Sequence, residues 1–363
     1  MEAKKNILLI GLIFATIAAF SFWMGNAFAA RPTRAEANQT PLFYPSGTEK
    51  PRIQFLRTIN GESFMDTNTS TYGDRFTGYS GADGGQETNP LIKPYGIAAT
   101  KGQIFVCDSA RQQVMVFNLA HKTVDMIRGF KRPLNIAVDS DGTRFVSDGD
   151  YKKIMVYGPN NEYRWSYGNT STKPIGIAIS DDRVFFTDMA AHQVVILNKN
   201  SGKELGRISA PGATPGKIYA PTSLVLDGQK NIYVTDTFNG RISKFAQNGK
   251  FLDTMGEIST SVGNFARPKG LAVDREGRIY VVDGSFENIQ IFNPEKQLLL
   301  FFGEVGNVRA GVNMPAQIVI DYDNVEYFKK YVAKDYEIEY LIYVSNTFGD
   351  NKVNVYGFLK NSR

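Results

Sequence analysis

Apolar and polar positions along the chain follow one pattern that recurs six times. Each copy starts at a proline, continues as a short apolar run, turns at Gly or polar residues, and reaches a second apolar run that ends in Asp or Asn. A polar turn and a third apolar run follow. Short runs rich in β-branched and aromatic residues predict strands and not helices. The copies start at Pro94, Pro133, Pro174, Pro221, Pro268 and Pro315.

The spacing of these prolines predicts six similar β-sheets. Successive prolines are 39, 41, 47, 47 and 47 residues apart, which is the length of a four-stranded sheet with its turns. A fourth run completes copies one to five, but the sixth copy ends near Phe358 without one, and the similar run Arg52–Ile59 precedes the first copy. The sequence therefore predicts an all-β, six-bladed β-propeller over residues 51–358, closed by this N-terminal strand. A linker at 30–50 and a C-terminal tail at 359–363 would flank it.

Three segments of the repeats resemble NHL repeats. They are residues 267–274, residues 277–283 and the turn at residues 236–242. The resemblance extends over about residues 50–358 and implies the same six-bladed β-propeller. This fold carries both enzymes and binding proteins, so the resemblance by itself implies no activity.

Residues 1–29 have the features of a targeting segment. Two lysines precede an apolar run at residues 7–24, and small residues surround Ala29. This order is typical of a secretory signal peptide, here cleaved after Ala29. The apolar run also approaches the length of a membrane span, so a retained N-terminal hydrophobic helix that serves as a membrane anchor is the alternative. Both interpretations predict an extracytoplasmic protein, in the periplasm or at the cell surface.

Composition and charge narrow the chemistry. The chain has 41 basic and 36 acidic residues spread along its length, and its single cysteine, Cys107, lies in an apolar run. One thiol excludes an intramolecular disulfide and a tetrathiolate zinc site. The modest net charge of +5 and the predicted export argue against a nucleic-acid partner. The sequence has no Walker loop, Gly-x-Gly-x-x-Gly or Gly-x-Ser-x-Gly motif, and we expect no cofactor.

The Asp residue that ends each second run invites comparison with a metal site. An Asp repeated at the same turn bonds nearby backbone N–H groups, so a structural capping role is favoured. Gluconolactonase-like propellers hold a divalent cation with a Glu, an Asp and Asn residues at the mouth of the central channel. The corresponding ring here, two residues after each proline, has no carboxylate, which favours a protein without catalytic activity. The ring consists of Gly96, Asn135, Gly176, Ser223, Gly270 and Gln317.

Polar residues also stand just before each third run. Three of them are cationic, namely Lys153, Arg241 and Lys352. A solvated turn accounts for such residues. The alternative is a mildly basic rim that receives an acidic or polar partner.

Two segments depart from the repeat and are rich in aromatic residues. The first, Gly61–Leu91, joins the closing strand to the first blade, and we expect it to form a binding lid over the channel face or to be mobile. The second, Tyr322–Tyr340, would project from the opposite face, as a docking element or packed beneath the propeller. The candidate partner-binding aromatics are Phe64, Tyr72, Phe76 and Tyr79 in the first segment and Tyr327, Tyr331 and Tyr336 in the second.

These features predict an exported, non-catalytic scaffold for protein–protein interaction in the cell envelope. The resemblance implies that the partner is a protein of the cell envelope, a class that includes redox proteins. Membrane contact is expected only through residues 7–24, if they are retained. The alternative is a metal-assisted hydrolase or lactonase of the gluconolactonase-like propeller type, which would need acidic ligands at the channel mouth.

Overall fold

Six antiparallel β-sheets surround a central axis in the computed structural model, which describes residues 40–47, 49–65 and 89–360. Five sheets contain four consecutive strands each, and the sixth combines strands from both ends of the described chain. The innermost strands of neighbouring sheets contact each other all the way round the axis. The chain is therefore a six-bladed β-propeller, as the sequence predicts.

The blades are numbered in the order of their leading prolines, and the strands are given from the axis outwards. Blade 1 has Pro94–Thr100, Gln103–Asp108, Gln113–Asn118 and Thr123–Ile127; blade 2 has Pro133–Val138, Arg144–Asp148, Lys153–Tyr157 and Tyr163–Tyr167. Blade 3 has Pro174–Ser180, Arg183–Asp188, Gln193–Asn198 and Glu204–Ile208; blade 4 has Pro221–Leu226, Ile232–Asp236, Arg241–Phe245 and Phe251–Met255. Blade 5 has Pro268–Val273, Ile279–Asp283, Asn288–Phe292 and Leu298–Phe302; blade 6 has Pro315–Asp321, Ile338–Asn346, Val353–Leu359, Ile53–Ile59 and Leu42–Tyr44. The other described elements are a parallel pair, Glu304–Val305 and Gly311–Val312, the 3-10 helices Glu62–Met65, Thr237–Asn239 and Lys329–Tyr331, and the α-helix Val325–Phe328.

Every innermost strand begins at its leading proline, opposite the residue that ends the second strand. Pro94 is paired with Asp108 and Pro268 with Asp283. Proline has no N–H group, so it is tolerated at the first position of a strand but not in the interior of a sheet. The register shifts directly after the proline in all six blades, which is a local bulge at the entrance to each innermost strand.

Apolar layers between neighbouring blades form the core. In the layer between blades 1 and 2, Phe105, Val116 and Ile136 are at most 3% exposed. Both faces of the inner strands are covered by neighbouring blades, so their sequences are almost continuously apolar. Cys107 belongs to this layer, and burial raises the pKa of its thiol well above the usual value. It is therefore a core thiol of low reactivity.

The innermost strands approach each other closely, and two kinds of contact alternate around the ring. Where an odd-numbered blade meets the next blade, a glycine lies against the backbone of its neighbour. A Cβ atom at Gly96 would lie only 2.5 Å from the Cα atom of Asn135, so no larger residue fits without displacement of a strand. In the same way, a Cβ atom at Gly176 would lie 2.8 Å from the Cα atom of Ser223, and one at Gly270 would lie 2.8 Å from the Cα atom of Gln317.

Hydroxyl groups join the other three junctions. Each donor immediately precedes the Asp or Asn that ends a second strand, and each acceptor is the carbonyl that follows the next leading proline. These bonds satisfy carbonyl groups that would otherwise be buried without a partner. The pairs are Ser147 Oγ with the Ile175 carbonyl at 2.7 Å, Thr235 Oγ1 with the Lys269 carbonyl at 3.4 Å, and Ser345 Oγ with the Tyr95 carbonyl at 2.5 Å.

Blade 6 contains two strands from the N-terminal part of the chain. Ile53–Ile59 pairs antiparallel with Val353–Leu359, and both of its end residues are fully buried. Leu42–Tyr44 adds a fifth strand outside it, inside the segment predicted to be a linker. Tyr44 of this strand is buried and packs against Phe302 of blade 5, with ring centres 5.6 Å apart.

The predicted targeting segment, residues 1–29, lies outside the described residues. Within the described ranges, no helix is long and apolar enough to cross a membrane. The cleaved signal peptide and the retained anchor therefore both stay predictions.

The insertion in blade 6 packs largely beneath the propeller. Phe328, from its four-residue helix, is fully buried and stacks on Phe64 with ring centres 5.9 Å apart. Asn324 donates a hydrogen bond to the Thr100 carbonyl at 2.9 Å and so ties the insertion to blade 1. Of the two alternatives open from the sequence, packing accounts for this part of the segment.

Gly176→Ala should destabilise the propeller by about 1–3 kcal/mol, because the added methyl group overpacks the ring against Ser223. Gly206→Ala is the matched control, since a Cβ atom there has no heavy atom within 4 Å. Urea unfolding of the two variants measures the difference. Equal free energies of unfolding would contradict the tight junction between blades 3 and 4.

Candidate binding face at the channel mouth

The mouth of the central channel is framed by the loops that enter the innermost strands and by the turns between second and third strands. The repeated Asp residues join these loops and turns. Asp108 accepts hydrogen bonds from the backbone N–H groups of Ile92 and Lys93 at 2.6 and 3.1 Å, and from those of Ala110 and Arg111 at 3.1 and 3.0 Å. The capping role predicted from the sequence is thereby confirmed. Asp148, Asp188 and Asp283 join their own loops and turns in the same way. Asp236 accepts from the backbone N–H group of Tyr219 in its loop and from the side-chain amide of Asn239 in its turn.

Neutral polar side chains occupy the centre of the ring below these loops. Asn135, Ser223 and Gln317 are at most 8% exposed, and Ser223 Oγ donates to Gln317 Oε1 at 3.4 Å, from blade 4 to blade 6. In the described part of the chain, no group of three His, Cys, Asp or Glu side chains is placed to hold a metal ion.

Four cationic side chains converge on the mouth, and we call them the cationic centre. Lys93, Arg132 and Arg267 each immediately precede a leading proline, and Lys269 directly follows one. The first three are exposed, whereas Lys269 is only 8% exposed. Among the described residues, only Arg132 of the four has a carboxylate partner, with Nε 2.9 Å from Asp150 Oδ1.

Lys269 extends across the channel mouth. Its ammonium nitrogen lies 5.7 Å from the centre of the Tyr95 ring, which belongs to blade 1, beyond the intervening blade 6. Blade 6 carries only Ala316 at the equivalent position, which leaves room for the long side chain. The stem of Lys269 packs over Gly284, where a Cβ atom would lie 2.6 Å from Lys269 Cδ.

The electrostatic environment of Lys269 is positive. Burial, together with the charges of Arg267 and Lys93, lowers the pKa of Lys269 to about 8. Burial raises the pKa of Tyr95, and the charges of Arg267 and Arg132 act in the opposite direction. Cations from three blades therefore interact with one buried lysine and one tyrosine, which gives the mouth a positive potential suited to a negatively charged ligand.

Exposed apolar side chains lie on the same loops and turns, and we call them the apolar rim. Tyr219 stacks on His192 with ring centres 4.3 Å apart and lies 5.9 Å from Phe238, which forms a row of three rings. Exposed aromatic and aliphatic residues on one face are typical of protein interfaces. The apolar rim consists of residues that are 40–65% exposed, namely Ile92, Tyr151, Tyr219, Phe238, Ile258, Val262, Val305, Val308 and Phe348.

The three cations predicted before the third runs differ in their surroundings. Lys153 is exposed. Arg241 is turned inward, with Nε 2.8 Å from Asp236 Oδ2 and a side chain only 11% exposed. Lys352 is half-buried and donates from Nζ to the Ile92 carbonyl at 3.0 Å. Arg241 and Lys352 therefore hold loops of the mouth in place, and Lys153 is the one of the three with an exposed side chain.

The aromatic residues predicted in the first loop do not form a contact surface where the structure describes them. Phe64 is 9% exposed and packs with Phe117 and Phe328 between blades 6 and 1. Its ring belongs to the core and not to the predicted partner surface, because the helix Glu62–Met65 packs against the outer strand of blade 1. The other three, Tyr72, Phe76 and Tyr79, lie outside the described residues.

The tyrosines of the blade 6 insertion lie on the face opposite the mouth. Tyr327 and Tyr336 are each 38% exposed, and Tyr336 packs on Phe43 with ring centres 4.8 Å apart. Tyr331 is half-buried and accepts a hydrogen bond from the guanidinium group of Arg57. Tyr331 is thus held by the propeller, and the other two rings are partly accessible.

The cationic centre does not appear among the sequence-predicted residues, because those predictions concern the positions two residues after each proline and just before each third run. The informative positions are the residues on either side of the proline. Four of the six residues that precede the prolines are cationic, and a comparison of the repeats at that position would have revealed them. They are Lys93, Arg132, Lys173 and Arg267, of which all but Lys173 belong to the cationic centre.

Lys269→Met should remove a pH-dependent part of the stability. The pKa of Lys269 is about 8 in the folded protein and near 10.5 when unperturbed, so the unfolded chain binds more protons between these values. The free energy of unfolding of the wild type, relative to that of the variant, should rise by roughly 1–3 kcal/mol between about pH 8 and pH 10.5. Urea unfolding across this range measures it, with Lys329→Met as the exposed-lysine control. A difference that stays constant with pH would contradict the buried, cation-surrounded position of Lys269.

Comparison with known proteins supports the fold. No protein-family model matches the chain. Peptidyl-glycine alpha-amidating monooxygenase A from Xenopus laevis is 35% identical over 128 residues, which cover 33% of this chain and only 13% of that relative. A virginiamycin B lyase from Staphylococcus aureus, solved with quinupristin, has a TM-score of 0.52 at 15% identity and covers 74% of this chain and 95% of its own. A gluconolactonase from Xanthomonas campestris has a TM-score of 0.56 at 16% identity, covering 74% and 87%. The TM-scores show that these two structures share the β-propeller fold with this chain. Because their sequence identities are so low, they show nothing beyond the fold.

Proposed function

We propose that this protein is a non-catalytic interaction module that holds a protein partner at the channel mouth. The observation that carries the proposal is the presence of the cationic centre and the apolar rim on one face. A partner whose acidic side chains are surrounded by apolar ones would pair with the cations and bury the rim. Complementary charge would also speed the encounter of the two proteins.

The proposal also extends to the family of the protein and to its location in the cell. We propose an NHL-type propeller that is exported to the cell envelope, with its ring closed by the strand Ile53–Ile59. The targeting features of residues 1–29 and the pairing of the closing strand with Val353–Leu359 support this. The partner would then be a protein of the cell envelope, a class that includes redox proteins, and not a nucleic acid. Membrane contact would be limited to residues 7–24, if they are retained.

A metal-assisted hydrolase or lactonase, the other function considered from the sequence, has less support. The oxygens of the repeated Asp residues accept hydrogen bonds from backbone N–H groups, as in Asp108. The charge of Lys269 at the channel mouth would repel a divalent cation. No observation on the described residues favours this second function.

Charge reversal at the mouth should release the partner. We expect the variant with Lys93→Glu and Arg267→Glu to capture at least tenfold less of its main partner from native envelope extracts, because both exposed cations would repel an acidic surface. The matched control carries Lys329→Glu and Lys330→Glu, two exposed lysines on the opposite face. Quantitative mass spectrometry of the captured proteins makes the comparison. If the control variant lost the partner and the charge-reversal variant kept it, the result would contradict a binding face at the mouth.

Mass spectrometry of the protein purified from its native host should show a chain that starts at Ala30. The small residues around Ala29 match a signal-peptidase site. An intact Met1 in the membrane fraction would favour the retained anchor instead. A chain that starts beyond Ile59 would exclude ring closure by the N-terminal strand.

A further inference from the structure

One lysine of the cationic centre, Lys269, is much less exposed than the other three cations. Lys269 is 8% exposed, and in the described part of the chain its ammonium group has only the cation–π contact with Tyr95. An ammonium group has three N–H donors. The stem of Lys269 is buried, whereas its ammonium group lies at the channel mouth over the Tyr95 ring, where a ligand that carries acceptors and negative charge would bond to its donors.

The charged groups that face Lys269 are mostly positive. Arg267 comes from its own blade, and Lys93 and Tyr95 come from blade 1. Asp283 ends the adjacent strand, but its two oxygens already accept hydrogen bonds from the backbone N–H groups of four residues. In blade 2, the charge of Arg132 is offset by its ion pair with Asp150. The site around Lys269 therefore has an excess of positive charge.

We propose that the channel mouth contains a binding site for a small oxyanion, formed by Lys269 with Arg267 and Lys93. Carboxylate, sulfate and phosphate groups share the required chemistry, since an ammonium group and a guanidinium group both donate charge-assisted hydrogen bonds to oxygen. The site shares Lys93, Arg267 and Lys269 with the proposed partner-binding face, but a free anion can occupy it without the partner, so the two proposals are tested separately.

The backbone around Lys269 is held in place before any ligand arrives. The Lys269 carbonyl accepts hydrogen bonds from Thr222 Oγ1 at 3.2 Å and Thr235 Oγ1 at 3.4 Å, both in blade 4. Its side-chain stem is confined over Gly284. A lysine fixed in this way loses little further freedom on binding, which favours affinity for a small ligand.

Isothermal titration calorimetry of the full chain with sodium sulfate and with sodium malonate tests the proposal. Sulfate keeps its charge between pH 6.5 and pH 9.5, so a pH dependence of its binding reports on the protein. We expect one site per chain at pH 6.5 and at least tenfold weaker sulfate binding at pH 9.5, because Lys269 loses its proton in this range. Lys269→Met should weaken binding at least tenfold at pH 6.5 and leave little dependence on pH.

Two further variants guard against a folding artefact. Arg267→Gln changes an exposed residue and should weaken sulfate binding several-fold, whereas Lys329→Met on the opposite face should have no effect. Binding of both anions would assign the site to oxyanions in general, and binding of sulfate alone would assign it to tetrahedral anions. Absence of binding, or binding unchanged by Lys269→Met and Arg267→Gln, would overturn the proposal. Loss of partner capture by the double charge reversal would still support the interaction module in that case.

Discussion

The close approach of six innermost strands around one axis is the constraint on which the rest of this propeller depends. Strands can meet at such short distances only if the side chains between them are absent or bonded to the neighbouring backbone. Gly96 illustrates the first solution, against Asn135, and Ser147 illustrates the second, by donating to the Ile175 carbonyl. Because the two solutions alternate around the ring, neighbouring innermost strands pack closely at every junction without a bulky side chain at the axis. The residues on either side of each leading proline are thereby brought together at the mouth.

The repeated Asp caps connect this packing to the chemistry of the mouth. In most blades, the cap accepts a hydrogen bond from the backbone N–H group of the residue that precedes the leading proline. In three blades, that residue is an exposed cation of the cationic centre. A structural carboxylate therefore fixes the position of a side chain of the proposed binding face, while its own charge is shielded by backbone donors. The three pairs are Asp108 with Lys93 at 3.1 Å, Asp148 with Arg132 at 3.0 Å, and Asp283 with Arg267 at 3.0 Å.

Lys269 shows where stability and the proposed anion binding oppose each other. A neutral side chain at this position would avoid the cost of burying a charge, and burial together with neighbouring cations lowers the pKa of the lysine to about 8. The rigid ring holds the unfavourable group in place through hydrogen bonds to its carbonyl from Thr222 and Thr235. Local conflicts of this kind, supported by a consistent surrounding fold, are typical of functional sites.

The sequence by itself determined the six blades, their strands, the leading prolines and the Asp caps, because periodicity and turn chemistry act between residues close along the chain. It also correctly indicated that the insertion in blade 6 departs from the repeat. Only the tertiary structure decided that Leu42–Tyr44 is a strand, that Phe64 is buried, and that Lys269 reaches Tyr95 across blade 6. These three facts depend on contacts between residues far apart in the chain, which exist only once the blades are arranged around the axis, and no local pattern encodes them.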